Sequence, residues 1–200
     1  MSQKQGLLTD VIDALCCLPG VGPKSAQRMA LHLFQRDRGG AENLARVLQS
    51  AVNKLQYCKQ CRTLSEYELC ELCSSPKRNE KIICVVESPA DVWVINQSND
   101  YTGLFFVLNG RLSPLDGIGP EEIGLDLLEQ QLESKGVTEL ILATNATVEG
   151  EATAHFIAQI AQQYQIKVSR LAQGMPVGGE LEFLDSSTLA HAFSGRRIIE

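Results

Sequence analysis

Four cysteines constrain this chain more than any other feature. They stand as Cys58-x2-Cys61-x8-Cys70-x2-Cys73, and the sequence changes character across them, from helical patterns before to alternating strands and helices after. Each Cys-x-x-Cys pair can close a tight turn that aims two thiolates at one ion, the arrangement that tetrahedral zinc takes. All four positions are supplied by protein and no place is left for a reactive water, so the spacing predicts one structural Zn2+ per chain. Two plain thiol pairs or a disulfide framework are the alternatives. Residues 1–10 lack the basic start and apolar run of an export signal, and no stretch approaches about eighteen apolar residues. The expected compartment is therefore the reducing cytoplasm, where Cys16, Cys17 and Cys84 read as free thiols in apolar surroundings.

With 200 residues, 44% of them hydrophobic, the chain can form one large or two small domains with real cores. Its net charge of -6 is unevenly spread. Residues 1–80 carry 11 Lys and Arg against 8 Asp and Glu, whereas residues 81–200 carry 7 against 16. A mildly basic front half suits phosphates; an acidic back half repels them and suits proteins or metal ions.

Leu7, Leu8, Val11, Ile12 and Leu15 recur at helical spacing and predict an amphipathic first helix, ended by Leu18-Pro19. Gly20-Val21-Gly22 then permits an unusual turn, and Pro23 suits the first position of a second helix that runs through Phe34. The start of that helix exposes backbone N–H groups at the positive end of its dipole. Lys24 and Arg28 stand four residues apart beside it. A third helix, Ala41 to Leu55, places Leu44, Val47, Leu48, Ala51, Val52 and Leu55 on one side, expected to pack on the first two helices, with burial of part of it by a second copy of the chain as the alternative. Arg36, Arg38 and Arg46 either extend a basic surface or decorate a solvated face.

Leu18-Pro-Gly-Val-Gly-Pro-Lys-Ser-Ala-Gln-Arg28 closely resembles the helix-hairpin-helix DNA-binding motif. Gly20 and Gly22 would let the backbone approach a phosphate, with Lys24 and Arg28 adding charge, so binding should be independent of base sequence and weaken with salt. A plain helix-helix turn is the alternative reading.

Beyond the cysteines, Lys77-Arg78-Asn79 reads as a short linker and Ile82 to Val86 as a buried strand ending at Glu87. Ser88 and Pro89 read as the cap and first residue of a helix with Val92, Trp93 and Ile95 on its apolar side. Further elements are strands over Tyr101 to Leu108, Glu139 to Thr144 and Ile166 to Leu171, and helices over Pro120 to Lys135 and Glu151 to Tyr164. This alternation predicts a mostly parallel sheet covered on both faces. The glycine-rich runs at 117–124 and 174–180 lack the Lys-Ser/Thr ending of a phosphate loop, so no nucleotide is expected. His32, His155 and His191 lie far apart within helical patterns, a poor setting for a ligand set or a catalytic base.

Glu87 at one strand end and Thr144-Asn-Ala-Thr-Val-Glu-Gly-Glu151 at another resemble the Toprim domain of topoisomerases, primases and some nucleases. That family is similar in placing a glutamate after its first strand, but it has a carboxylate pair where this sequence has Asn145 and Thr147. Neutral oxygens hold magnesium poorly. The resemblance therefore implies a Toprim domain without Mg2+ catalysis, with Glu87, Glu149 and Glu151 available to a protein partner; weak binding of an ion by these three is the alternative.

The ordered set resembles a bacterial family of recombination mediators, with further matches at Leu108-Asn-Gly-Arg-Leu-Ser-Pro-Leu-Asp-Gly-Ile-Gly-Pro120 and Arg170-Leu-Ala-Gln-Gly-Met-Pro-Val-Gly-Gly-Glu-Leu-Glu182. What it implies is an α+β multidomain chain: residues 1–56 a helix-hairpin-helix domain, 57–76 the four-cysteine zinc motif, 80–173 the Toprim domain, and 174–200 a segment for subunit contacts. The implied function is non-enzymatic. Dimers and ring-like tetramers encircle DNA and act with RecO, and in some settings RecF, to load RecA onto DNA coated with single-strand binding protein. Two other readings differ in kind: a magnesium-dependent Toprim nuclease or topoisomerase-like enzyme with a rearranged site, and a zinc-stabilised interaction module that touches no DNA.

Overall fold

A computed structural model describes residues 6–98, 100–134, 136–172, 174–175 and 178–196. The chain divides into two compact units, Met1–Leu55 and Gln56–Glu200.

The first unit holds α1 (Leu7–Leu15), α2 (Pro23–Gln35) and α3 (Arg38–Lys54). Only Ala26 and Ala30 of α2 are fully buried among its described residues. The expected packing of the long α3 face into a core is not found: Leu44, Val47, Leu48, Val52 and Leu55 are all exposed. Three short helices offer too little surface to cover that face. α3 also begins earlier than its apolar pattern predicts, because the Asp37 carboxylate accepts the Gly40 N–H at 2.8 Å and caps the helix.

In the second unit, the cysteine stretch carries a small antiparallel pair, β1 (Gln56–Tyr57) and β2 (Leu64–Ser65). Four parallel strands follow: β3 (Asn79–Val86), β4 (Gly103–Val107), β5 (Glu139–Ala143) and β6 (Lys167–Arg170), in the order β4-β3-β5-β6. Helices α4 (Pro89–Gln97), α5 (Leu125–Ser134) and α6 (Val148–Gln163) connect them, and a tail carries α7 (Ser186–Ser194).

Alternation along the strands sorts the core into two layers. Ile83, Val85, Leu104, Phe106, Leu140 and Leu142 face Leu128 and Leu132 of α5 and Ile157 and Ala161 of α6. Their neighbours Cys84, Val86, Phe105 and Val107 face the other way, onto Val92 of α4 and onto Cys58, Cys61 and Cys70. The sheet is thus covered on both faces, but on the second face the cysteine motif does part of the work of a helix. In sequence that motif marks the change from helical to mixed patterns; in the fold it is part of the sheet's own core.

Several boundaries differ from the sequence reading. Asn79 opens β3, and Arg78 is no linker residue: its guanidinium donates to the carbonyls of Tyr101 (3.0 Å) and Gly103 (3.2 Å) and to the Asn96 side chain. The helix expected from Pro120 starts only at Leu125, since Gly124 adopts φ 73° and turns the chain first. Lys135, its expected end, lies outside the described residues. α6 begins at Val148 instead of Glu151, because the Thr147 hydroxyl accepts the Gly150 N–H at 3.1 Å.

Candidate nucleic-acid interface and metal centre

The hairpin between α1 and α2 is built as its residues require. Gly20 takes φ 78°, a region open to glycine, and the Val21 N–H donates to the Leu18 carbonyl at 3.0 Å to close the turn. Gly22 is extended and stands as N-cap, and Pro23 occupies the first helical position without a wasted N–H. No side chain caps this helix start. Lys24 and Arg28 are exposed and, with His32, Arg36, Gln27 and Gln35, line an open groove of about 510 Å3 along α2. Among the described residues no acidic one lines it.

The structure separates the three additional arginines. Arg38 donates to the Phe34 carbonyl at 3.2 Å and Arg46 to the Asn43 side chain at 2.6 Å, whereas Arg36 opens onto the groove.

The four cysteines converge. Their Sγ atoms all lie within 4.8 Å of one another, with Cys61 and Cys70 3.5 Å apart, against about 3.8 Å between sulfurs around a tetrahedral ion with 2.3 Å arms. Cys58, Cys61 and Cys70 are buried and Cys73 is half-buried. Without a cation, Cys61, Cys70 and Cys73 shift one another's protons. The hydrogen bond with Cys70 pushes Cys61 up, the bond with Cys61 does the same to Cys73, and Cys70 is held well below the usual thiol range by its bond to Cys61. A divalent cation would favour all four thiolates together. The donor set, its geometry and its burial fit zinc.

A clasp ties this cluster to the sheet. The Cys61 carbonyl accepts the Val107 N–H at 2.8 Å, and the Arg62 carbonyl accepts from Asn109 Nδ2 at 3.1 Å. The Arg62 guanidinium donates to the carbonyls of Leu108 (3.3 Å) and Ile123, and lies 5.6 Å from the Phe106 ring centroid. Burial lowers its pKa from the ordinary arginine range. Gln131 Nε2 adds a bond to the Gln60 carbonyl at 2.6 Å.

At the strand ends, Glu87 follows β3 and is only 7% exposed. Both of its carboxylate oxygens are engaged by one residue: the Asn145 backbone N–H donates to Oε1 at 2.8 Å and the Asn145 side-chain amide to Oε2 at 2.7 Å. Gly150 makes this approach possible, since a Cβ there would fall 3.0 Å from Glu87 Oε1 and still closer to the Asn145 carbonyl. Glu149 and Glu151 do not join Glu87. They sit in the first turn of α6, where carboxylates favour the helix dipole, and Glu151 pairs with Arg170. Among the described residues the four cysteines form the single cluster arranged to hold a metal.

Family models match in order along the chain: RecR, helix-hairpin-helix at residues 8–52; the RecR zinc finger domain of four cysteines at 55–75; Toprim domain at 81–172; and RecR, C-terminal at 174–197. The recombination protein RecR of Methylococcus capsulatus (strain ATCC 33009 / NCIMB 11132 / Bath) is 59% identical over 195 residues, covering 98% of each chain. The chain belongs to the RecR family.

Within this RecR chain, sequence reasoning finds the hairpin and the cysteines, and the fold places each in its own unit. It does not find Arg62 or Arg78. Arg62 stands inside the cysteine motif and Arg78 just after it, and their role depends on carbonyls far along the chain, a relation no local pattern carries. The tail matched by the RecR C-terminal model exposes Leu181, Phe183 and Phe193, and α7 has no buried residue. No helix among the described residues is long and apolar enough to cross a membrane.

Proposed function

We propose that this RecR-family protein is a non-enzymatic recombination mediator: it grips the DNA backbone through Gly20, Gly22, Lys24 and Arg28, and hands the DNA to partner proteins. The observation that carries the reading is the uncapped start of α2 with Lys24 and Arg28 on a groove that no acid lines among the described residues. Backbone N–H groups and two cations together suit phosphates, without base contacts.

The strand ends support a non-catalytic role. Toprim chemistry needs carboxylates free to hold magnesium, and here the Glu87 oxygens are taken by Asn145 while Glu151 is taken by Arg170. What remains on the surface is the acidic start of α6, where Glu149, and the exposed part of Glu151 beyond its pair with Arg170, offer a contact for RecO. Glu87 is too buried to take part directly. Cys58, Cys61, Cys70 and Cys73 would hold one structural Zn2+ per chain, its role being to fix the face of the sheet onto which they pack.

A second copy of the chain completes the assembly. In the first unit an almost wholly apolar groove of about 570 Å3 lies between Leu15 and Leu18 on one side and Leu44 and Leu48 on the other. Such a face is covered in a stable protein, and pairing of like units would join chains into the dimers and ring-like tetramers that encircle DNA. The setting is the cytoplasm, with RecO, RecF, RecA and single-strand binding protein as the machinery around it. The test is RecA loading onto DNA coated with single-strand binding protein, with RecO present and with or without RecF. Acceleration that is lost in Lys24→Glu/Arg28→Glu supports the mediator; loading at the same rate without the protein refutes it.

A further inference from the structure

The groove on α2 extends well past the hairpin. Lys24, Arg28, His32 and Arg36 recur every four residues along one ridge, rising about 6 Å at each step, a spacing of the same order as that between neighbouring phosphates of a strand. All four are exposed, and among the described residues no acid lines their groove. Among the described residues none of the three cations has a side-chain hydrogen bond or an ion pair, in contrast to Arg38 and Arg46 nearby. Three like charges left unpaired on one ridge are unfavourable to the chain alone and are relieved by a polyanion.

We propose that this ridge is a continuous phosphate track and that Arg36 is a further DNA contact at its far end. The proposal rests on the reading of the hairpin as a phosphate site and extends it along the helix.

The nearby Asp37 carboxylate is engaged by the Gly40 N–H, and Glu42 lies on the separate apolar groove.

The experiment measures binding of the full chain to a labelled DNA of arbitrary sequence across a salt series, for wild type, Arg36→Gln and Lys24→Gln/Arg28→Gln. Arg36→Gln should lower the salt slope by about one per engaged subunit and weaken binding about eightfold at 0.1 M salt. An unchanged slope in Arg36→Gln overturns the track even if the double variant loses binding. If the double variant instead binds like wild type, the hairpin reading falls and the track with it.

Discussion

Asn145 donates two hydrogen bonds to Glu87, one from its backbone and one from its side-chain amide, and so occupies both oxygens of a buried carboxylate. The amide stands where a charged side chain would be needed to share a cation. It converts a potential metal ligand into a strut between the ends of β3 and β5.

The strut can be broken by one residue. Asn145→Ala leaves Glu87 with one donor fewer in a buried place, and the expected loss is about 1–3 kcal/mol by denaturant unfolding. Asn145→Asp puts two carboxylates together. It should lose at least as much at neutral pH and recover as acid or added magnesium neutralises the pair, whereas wild type should not respond to magnesium.

Arg62 is expected to hold the cysteine motif to the sheet without touching the metal. Arg62→Ala removes the bonds to the Leu108 and Ile123 carbonyls and the contact with Phe106, at a cost of roughly 2–3 kcal/mol in thermal or chemical unfolding. Zinc content measured by atomic absorption should stay at one ion per chain. In Cys58→Ser it should fall together with stability, since the ligand set itself is then incomplete. Lysine at position 62 should rescue Arg62→Ala only partly, because an ammonium cannot span two carbonyls as the guanidinium fork does.

Cys84 supplies a pH test. Its thiol lies in the layer between the sheet and the cysteine motif, and burial pushes its pKa up to about 12, against about 8.5 for a free thiol. Between these values the unfolded chain has lost the proton and the folded chain has kept it. Stability is thus fully present below about pH 8.5 and declines as pH rises toward 12, by up to about 1.4 kcal/mol per pH unit. Other groups also titrate there, including Tyr101, which burial raises further. The informative quantity is the difference between wild type and Cys84→Val in unfolding free energy, which should narrow as pH rises from 8.5 to 10.5. A difference that stays constant would mean Cys84 keeps its proton in both states.

The elements legible in sequence are those whose physics is local. Gly20-Val21-Gly22-Pro23 specifies its turn through the backbone freedom of Gly20 and the fixed φ of Pro23, and both are realised. The Ser88-Pro89 helix start is equally visible, and its Asp91 carboxylate takes the Ser88 N–H at 2.8 Å and the Ser88 hydroxyl at 2.9 Å. Strand order in the second unit is not readable, because β3 lies between β4 and β5 through pairings between distant segments. Nor is the fate of Glu87. The sequence shows an acid at a strand end, which suits a solvent-facing partner contact, but its burial is decided by Asn145, 58 residues away. The face of α3 misleads for the opposite reason: its periodicity correctly reports an apolar surface and cannot say whether this chain or another covers it.

The most direct test of the central claim is DNA binding over a salt series, with magnesium present and strand integrity followed, for wild type and Lys24→Glu/Arg28→Glu. The account predicts binding that falls steeply with salt, a slope in the double variant lower by about two per engaged subunit, and DNA left intact throughout. Binding indifferent to salt, or cleavage that disappears in Glu87→Gln, would contradict it.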